Sequence, residues 1–179
     1  MKKIILLLII SIVSFSSCEK DDICDANTAT TPRVVIQFYD ITNPTVLKNV
    51  TNLKVIGEGM PEGIDFNPTA TGEAKYLTNL SEIAISLKTD ADLSTYSFIL
   101  NSGNSNTNLI NEDKISFFYT RNNVFVSRAC GYKTLFAFNP LLPYSQTAVP
   151  VTNLKWMQYV SVEKNNIDTE NETHIKIFF

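Results

Sequence analysis

Residues 114–138 read KISFFYTRNNVFVSRACGYKTLFAF. Ile115, Phe117 and Tyr119 fall on one side of an extended chain, the period-two pattern of a pleated strand. Two asparagines, Asn122 and Asn123, separate residues 114–121 from residues 124–128. Asparagine tolerates the positive φ that a tight hairpin demands, so the turn is expected there. Residues 132–138 then follow as a third meander strand.

The same alternation recurs along the chain. Val34, Ile36 and Phe38 share one face of a first strand. Ile83, Ile85 and Leu87 oppose Ala84, Ser86 and Lys88, and Tyr96, Phe98 and Leu100 form another apolar face. Trp156, Gln158, Val160 and Val162 predict a later strand, Ile175, Ile177 and Phe179 a last one, and residues 53–56 a weaker one. These runs are rich in the β-branched and aromatic residues that pleated surfaces favour. Turn signals at Asn43-Pro44, 57–63, Asn67-Pro68, 101–108 and 139–143 separate them. No segment sustains a 3.6-residue period, and residues 72–80 have room for one helical turn. About eight short strands predict an all-β fold, an antiparallel β-sandwich with Ig-like or Greek-key connections.

The N-terminus carries a different kind of signal. Lys2 and Lys3 precede an apolar run, 4–13, too short for the roughly 20-residue helix that crosses a bilayer. Ser16 and Ser17 then stand before Cys18, small residues where a lipoprotein peptidase needs them, with Phe15 at the position usually held by Leu. The expectation is a signal peptide over 1–17, an acylated tether over 18–30 and a single domain over 31–179. Each buried acyl CH₂ contributes roughly 0.8 kcal/mol, and two or three chains anchor stably. After Cys18, the stretch Glu19-Lys20-Asp21-Asp22 resembles the acidic signal that sends Bacteroidota lipoproteins to the outer face of the outer membrane. Lys20, Asp21 and Asp22 are therefore read as an export signal, and the cell surface is favoured over the periplasmic face.

Charge and cysteine count narrow the classes further. Fifteen basic and 18 acidic residues give a net charge of −3, which does not suggest the basic patch of a nucleic-acid binder. With Cys18 assigned to lipid, Cys24 and Cys130 remain in an oxidising compartment, either as a bridge or as two buried thiols. A bridge would close a loop of roughly 100 residues, worth about 4.7 kcal/mol in the chain-entropy account. Two cysteines and the single histidine do not complete a zinc shell, so no metal or cofactor is expected.

Catalytic signatures are sparse. His174 is expected to face solvent from the last strand, and no Gly-x-Ser-x-Gly elbow accompanies it. Asp90-x-Asp92-x-Ser94 starts like a calcium loop and then fails, with Thr95 and Asn101 at the glycine and glutamate positions. Gly57-Glu58-Gly59 lacks the pattern and helix of a phosphate loop. Trp156, Tyr144 and Tyr159 are the candidates for a sugar-binding platform, although alternation inside strands favours core packing.

Three stretches are similar to one family: Cys24 with Thr31-Pro32-Arg33-Val34-Val35-Ile36-Gln37-Phe38-Tyr39-Asp40, residues 115–121, and Val126-Ser127-Arg128-Ala129-Cys130-Gly131-Tyr132. They resemble small Bacteroidota outer-membrane lipoproteins of unknown function, the Ser-Arg-Ala-Cys-Gly-Tyr string being the most specific part. The resemblance covers roughly residues 18–179. It implies a lipoprotein and the pairing of Cys24 with Cys130, and it brings no activity or catalytic residue.

The expected function is that of a non-enzymatic accessory module, held at the outer membrane by its acyl chains and contacting another envelope protein, with an integral β-barrel the natural partner. Ile177, Phe178 and Phe179 form the candidate interface, on the reading that the last strand is an open sheet edge available for β-augmentation. The alternatives are a surface glycan-binding module and a carboxylate-dependent hydrolase. Cys18→Ala is expected to abolish metabolic labelling by fatty acid and to release the protein from membranes; labelling that persists would refute the acylation site.

Overall fold

The computed structural model describes residues 23–26, 28 and 30–179. The signal segment, Cys18 and the stretch Lys20, Asp21 and Asp22 lie outside the described residues. These residues are all-β: β1 (Val34–Tyr39), β2 (Leu53–Gly57), β3 (Leu77–Thr78), β4 (Glu82–Ile85), β5 (Leu93–Leu100), β6 (Asn111–Ser127), β7 (Gly131–Phe138), β8 (Tyr144–Val149), β9 (Tyr159–Val162), β10 (Asn166–Ile167) and β11 (Ile175–Phe178). A 3-10 turn at Gly72–Tyr76 fills the place where one helical turn is expected.

The chain divides into a larger unit, Thr31–Asn123 with Thr134–Phe179, and a smaller one, Met1–Thr30 with Val124–Lys133. The larger unit is the expected β-sandwich. Its four-stranded sheet is ordered β4-β1-β11-β9; the seven-stranded sheet runs β10-β7-β6-β5-β2-β3, with β8 also paired to β6. Alternation decides which side chains fill the core. Ile115, Phe117 and Tyr119 of β6 are buried beside Tyr96 and Phe98 of β5, Ile115 directly opposite Tyr96. From the other sheet come Val34, Ile36 and Phe38, Ile83 and Ile85, Ile175 and Ile177, and Val160. Each such aliphatic or aromatic side chain contributes about 1.5–3 kcal/mol of burial. Ring pairs add geometry: Phe117 lies 6.0 Å from Phe138, and Tyr119 meets Phe136 edge-on at 5.3 Å.

The last strand corrects the expected interface. β11 pairs in parallel with β1 through Ile36–Ile175 to Tyr39–Phe178, and antiparallel with β9 through Ile175–Val162 to Phe178–Tyr159. It is an interior strand, both flanks already hydrogen-bonded. Ile177 and Phe178 are buried, Phe178 under the rings of Tyr39 at 5.5 Å and Tyr159 at 5.6 Å, and Phe179 packs edge-on against Trp156 at 5.5 Å. Ile177, Phe178 and Phe179 therefore offer no open edge to a partner.

The hairpin turn also moves. Asn122 and Asn123 lie inside β6, and the Asn123 side-chain carbonyl accepts a bond from Thr134 Oγ1 (2.8 Å). The turn falls at Arg128-Ala129-Cys130, before Gly131 at φ +72°, a conformation glycine adopts without steric cost. β9 is shorter than expected, because Trp156 and Met157 sit in a bend that turns both side chains into the core. β8 was not expected. Phe118 explains it: its carbonyl accepts from Asn139 N and its N–H donates to Pro143 O, both 2.9 Å, so the chain leaves β6 and rejoins it around a single residue.

In the smaller unit Cys24 and Cys130 form a disulfide with Cα atoms 4.9 Å apart and a sequence separation of 106. Thiol titration of denatured, unreduced Cys18→Ala protein is expected to find no free thiol; two would show that the bridge does not form.

Candidate functional site

A concavity of the larger unit lies along β4, the outermost strand of the four-stranded sheet. It is a cleft of about 540 Å³, of the size that takes small molecules or short peptide segments. Its walls are β4 and the residues after it, the end of β2, Tyr96 of β5, and residues 58–66.

Local chemistry shapes these walls. Residues 57–66 leave β2 and return to it, Ile64 N–H donating to Val55 O (2.8 Å). Gly63 permits that approach, since a Cβ there would sit 2.9 Å from Tyr76 Cβ and 3.2 Å from the Lys54 side chain. The excursion raises Met60, which with Leu80 remains 63% exposed. Two large apolar side chains held in water mark the cleft as a surface that gains by being covered.

The register along β4 determines what the other wall presents. Phe38 N–H donates to Ser81 O (2.8 Å), and the antiparallel pairs run Val34–Ile85, Val35–Ala84, Ile36–Ile83 and Gln37–Glu82. Hydrogen-bonded and non-bonded pairs alternate in such a ladder, so Ile83 and Ile85 spend their backbone groups on β1. The N–H and C=O groups of Glu82 and Ala84 point the opposite way, into the cleft. Above and below them the edge is closed, Leu80 O accepting from Val50 N (3.3 Å) and Ser86 O from the Tyr96 hydroxyl. Among the described residues a two-residue window of open strand edge remains.

Charge around the window is predominantly acidic. Glu58, Glu62, Asp65 and Glu82 line the cleft with Arg33 and Lys88. Arg33 is held by Glu170 through a bidentate pair, Nε donating to Oε1 at 2.9 Å and Nη2 to Oε2 at 2.6 Å. Glu62 accepts from the Tyr76 hydroxyl at 2.5 Å, which pushes that phenol up to about 12; Asp65 pairs with Lys75 at 3.1 Å, and Glu82 accepts from Gln37 at 2.7 Å. Burial raises the Tyr96 phenol to about 12, so it is a neutral donor to Ser86 O at physiological pH. Among the described residues no three His, Cys, Asp or Glu side chains converge where a metal ion would sit.

The remaining sequence candidates fall elsewhere. Trp156 is buried and donates Nε1–H to Phe98 O (3.1 Å); Tyr144 is half-buried with its hydroxyl on Val160 O (2.8 Å). Only Tyr159 of that trio is exposed, so the three do not make a platform. Asp92 pairs with Arg121 at 2.6 Å. Asp113, not singled out in the sequence, is buried on the core face of β6 and accepts from Met157 N (2.9 Å) and Gln146 Nε2 (3.1 Å). Its Oδ1 has no partner among the described residues, and burial raises its pKa. It ties β6 to β8 and to the bend at Met157, away from the cleft. The cleft residues were not legible because loop 58–66 and β4 read as an ordinary turn region and an ordinary strand.

His174 overturns its expected solvent exposure. It is fully buried, and its Nδ1 accepts from Val35 N–H (2.9 Å) while its own N–H donates to Val35 O (3.0 Å). The neutral ring therefore carries its proton on Nε2, which has no partner among the described residues. Burial lowers its pKa from 6.5, against the opposing pull of Glu172, Glu170 and Asp168.

These features define a β-sandwich with a small cleft at an open strand edge. A family model described as "Family of unknown function (DUF6452)" matches residues 52–179, and the chain belongs to this family. The match includes the Ser-Arg-Ala-Cys-Gly-Tyr string but neither Cys24 nor the segment around Cys18. No curated protein and no solved structure matches the chain.

Because the folded state disfavours the His174 imidazolium, the unfolded chain binds that proton first as pH falls. Its contribution to stability is complete above about pH 6.5 and is lost as pH drops toward the lowered native value. Denaturant titrations from pH 7.5 to 5 are expected to show a shallower decline for His174→Gln than for the parent; parallel curves would refute the assignment.

Proposed function

We propose that this chain is an outer-membrane lipoprotein, anchored through Cys18 and favouring the cell surface. In this reading it is a non-enzymatic binding module whose cleft takes an extended segment of another envelope protein. The observation that carries the reading is the window at Glu82 and Ala84, open backbone donors and acceptors beside exposed Met60 and Leu80. An incoming strand satisfies those groups by β-augmentation, and its alternate side chains enter the apolar part of the cleft. The acidic wall favours a segment with a lysine or arginine near Glu58, whose carboxylate has neither an ion pair nor a side-chain hydrogen bond among the described residues. An integral outer-membrane barrel, whose loops supply such segments, shares the plane of the anchor, and shared anchoring raises effective concentration without new contacts.

The window replaces the last strand as the interface. Covering Met60 and Leu80 supplies the apolar contribution, while two backbone pairs set register and direction.

Amide hydrogen exchange read residue by residue checks this reading. In the free protein the amides of Ile83 and Ile85 are expected to be protected and those of Glu82 and Ala84 to exchange freely. In the complex recovered from crosslinked membranes the latter two are expected to become protected, and Leu80→Glu is expected to lose the crosslink while keeping its fold. A crosslink that survives Leu80→Glu, with Glu82 and Ala84 still exchanging, would refute the cleft as the contact.

A further inference from the structure

The smaller unit presents a surface that the cleft does not use. Phe125 and Tyr132 face each other across the β6–β7 hairpin, ring centroids 5.4 Å apart, yet they are 56% and 70% exposed. Ile23, next to the disulfide, is 84% exposed. From Thr120 to Lys133 no side chain is buried. Two aromatics at the end of the hairpin, and an isoleucine one position before the bridged Cys24, are thus exposed to water.

The bridge also limits where this turn can be. Cys24 stands six positions after Cys18. A chain spans at most about 3.3–3.6 Å per residue, so the Cα of Cys24 lies within about 20 Å of the Cα of Cys18 whatever path the chain takes. The disulfide adds a fixed Cα–Cα step of 4.9 Å to Cys130, in the hairpin turn. Without the bridge, residue 130 would be separated from Cys18 by more than a hundred residues of chain.

Resting on the proposed acylation of Cys18, we infer that the hairpin turn is a second membrane contact, with Phe125, Tyr132 and Ile23 seated in the lipid interface beside the acyl chains. Aromatic rings with an apolar body and a polar edge partition to that depth, and a second attachment point turns a swivelling anchor into an oriented one. The sequence after Cys18 carries Glu19, Asp21 and Asp22 against the single Lys20, so the contact is taken as apolar in origin and does not require anionic lipid.

The test uses the full acylated chain in vesicles of phosphatidylethanolamine and phosphatidylcholine, with and without brominated acyl chains. The natural chain has one tryptophan, the buried Trp156, and serves as the blank. Phe125→Trp is expected to lose emission in brominated vesicles, and adding Tyr132→Ser is expected to reduce that loss. Protein that floats with the vesicles but shows no quenching beyond the blank overturns the membrane contact and leaves the anchor standing. Emission that changes only when outer-membrane proteins are added assigns the face to a protein and also overturns it. A chain that does not float at all removes the anchor, and this placement with it.

Discussion

The pairing of β1 with β11 organises the four-stranded sheet. Val35 and His174 lie 139 positions apart, and each donates a backbone N–H to the other, one to a carbonyl and one to the imidazole Nδ1. A side chain therefore completes a ladder that backbone alone would leave short. With β11 on one side of β1, β4 can occupy only the other, and no described strand pairs with β4 across the Glu82–Ala84 window. The open edge, and hence the cleft, follow from where the last strand enters.

Two buried polar groups without full partners mark the ends of this design. His174 avoids a cost by staying neutral, because its accepting nitrogen is occupied by Val35 N–H. Asp113 has no such device. It accepts two bonds on one oxygen and leaves the other bare, so it remains a carboxylate only at the expense of desolvation. Its return is positional: it holds Met157, whose neighbour Trp156 stacks on Phe38 at 6.5 Å and reaches Phe98 O. The bend there joins the two sheets across the core.

How much of this was legible in the sequence depends on whether the decisive force was local. The alternation of β1, β5 and β6 was, because a half-buried strand writes its period into the chain. Asn122 and Asn123 misled because the pattern on both sides of them alternates equally well; the turn instead falls at Arg128-Ala129-Cys130, just before Gly131, where the backbone takes positive φ. The last strand was misread as an edge although four of the five residues 175–179 are apolar, Lys176 being the exception, a composition typical of a strand covered on both faces. Alternation shows which face of a strand is buried and is silent on which flank is paired. The cleft was not legible at all, since an edge is defined by absent neighbours and its walls come from segments distant in sequence.

The β1–β11 ladder also sets the order in which the molecule can be assembled. Contacts within β5, β6, β7 and β8 join near neighbours along the chain, so that meander can form while the rest is unstructured. The four-stranded sheet cannot close until residues 175–178 are present, because its central strand is the last to arrive. Loop-closure entropy makes such long-range pairing slow. A chain delivered N-terminus first, from a ribosome or through a translocation pore, therefore keeps the β11 flank of β1 unpaired until residues 175–178 have emerged.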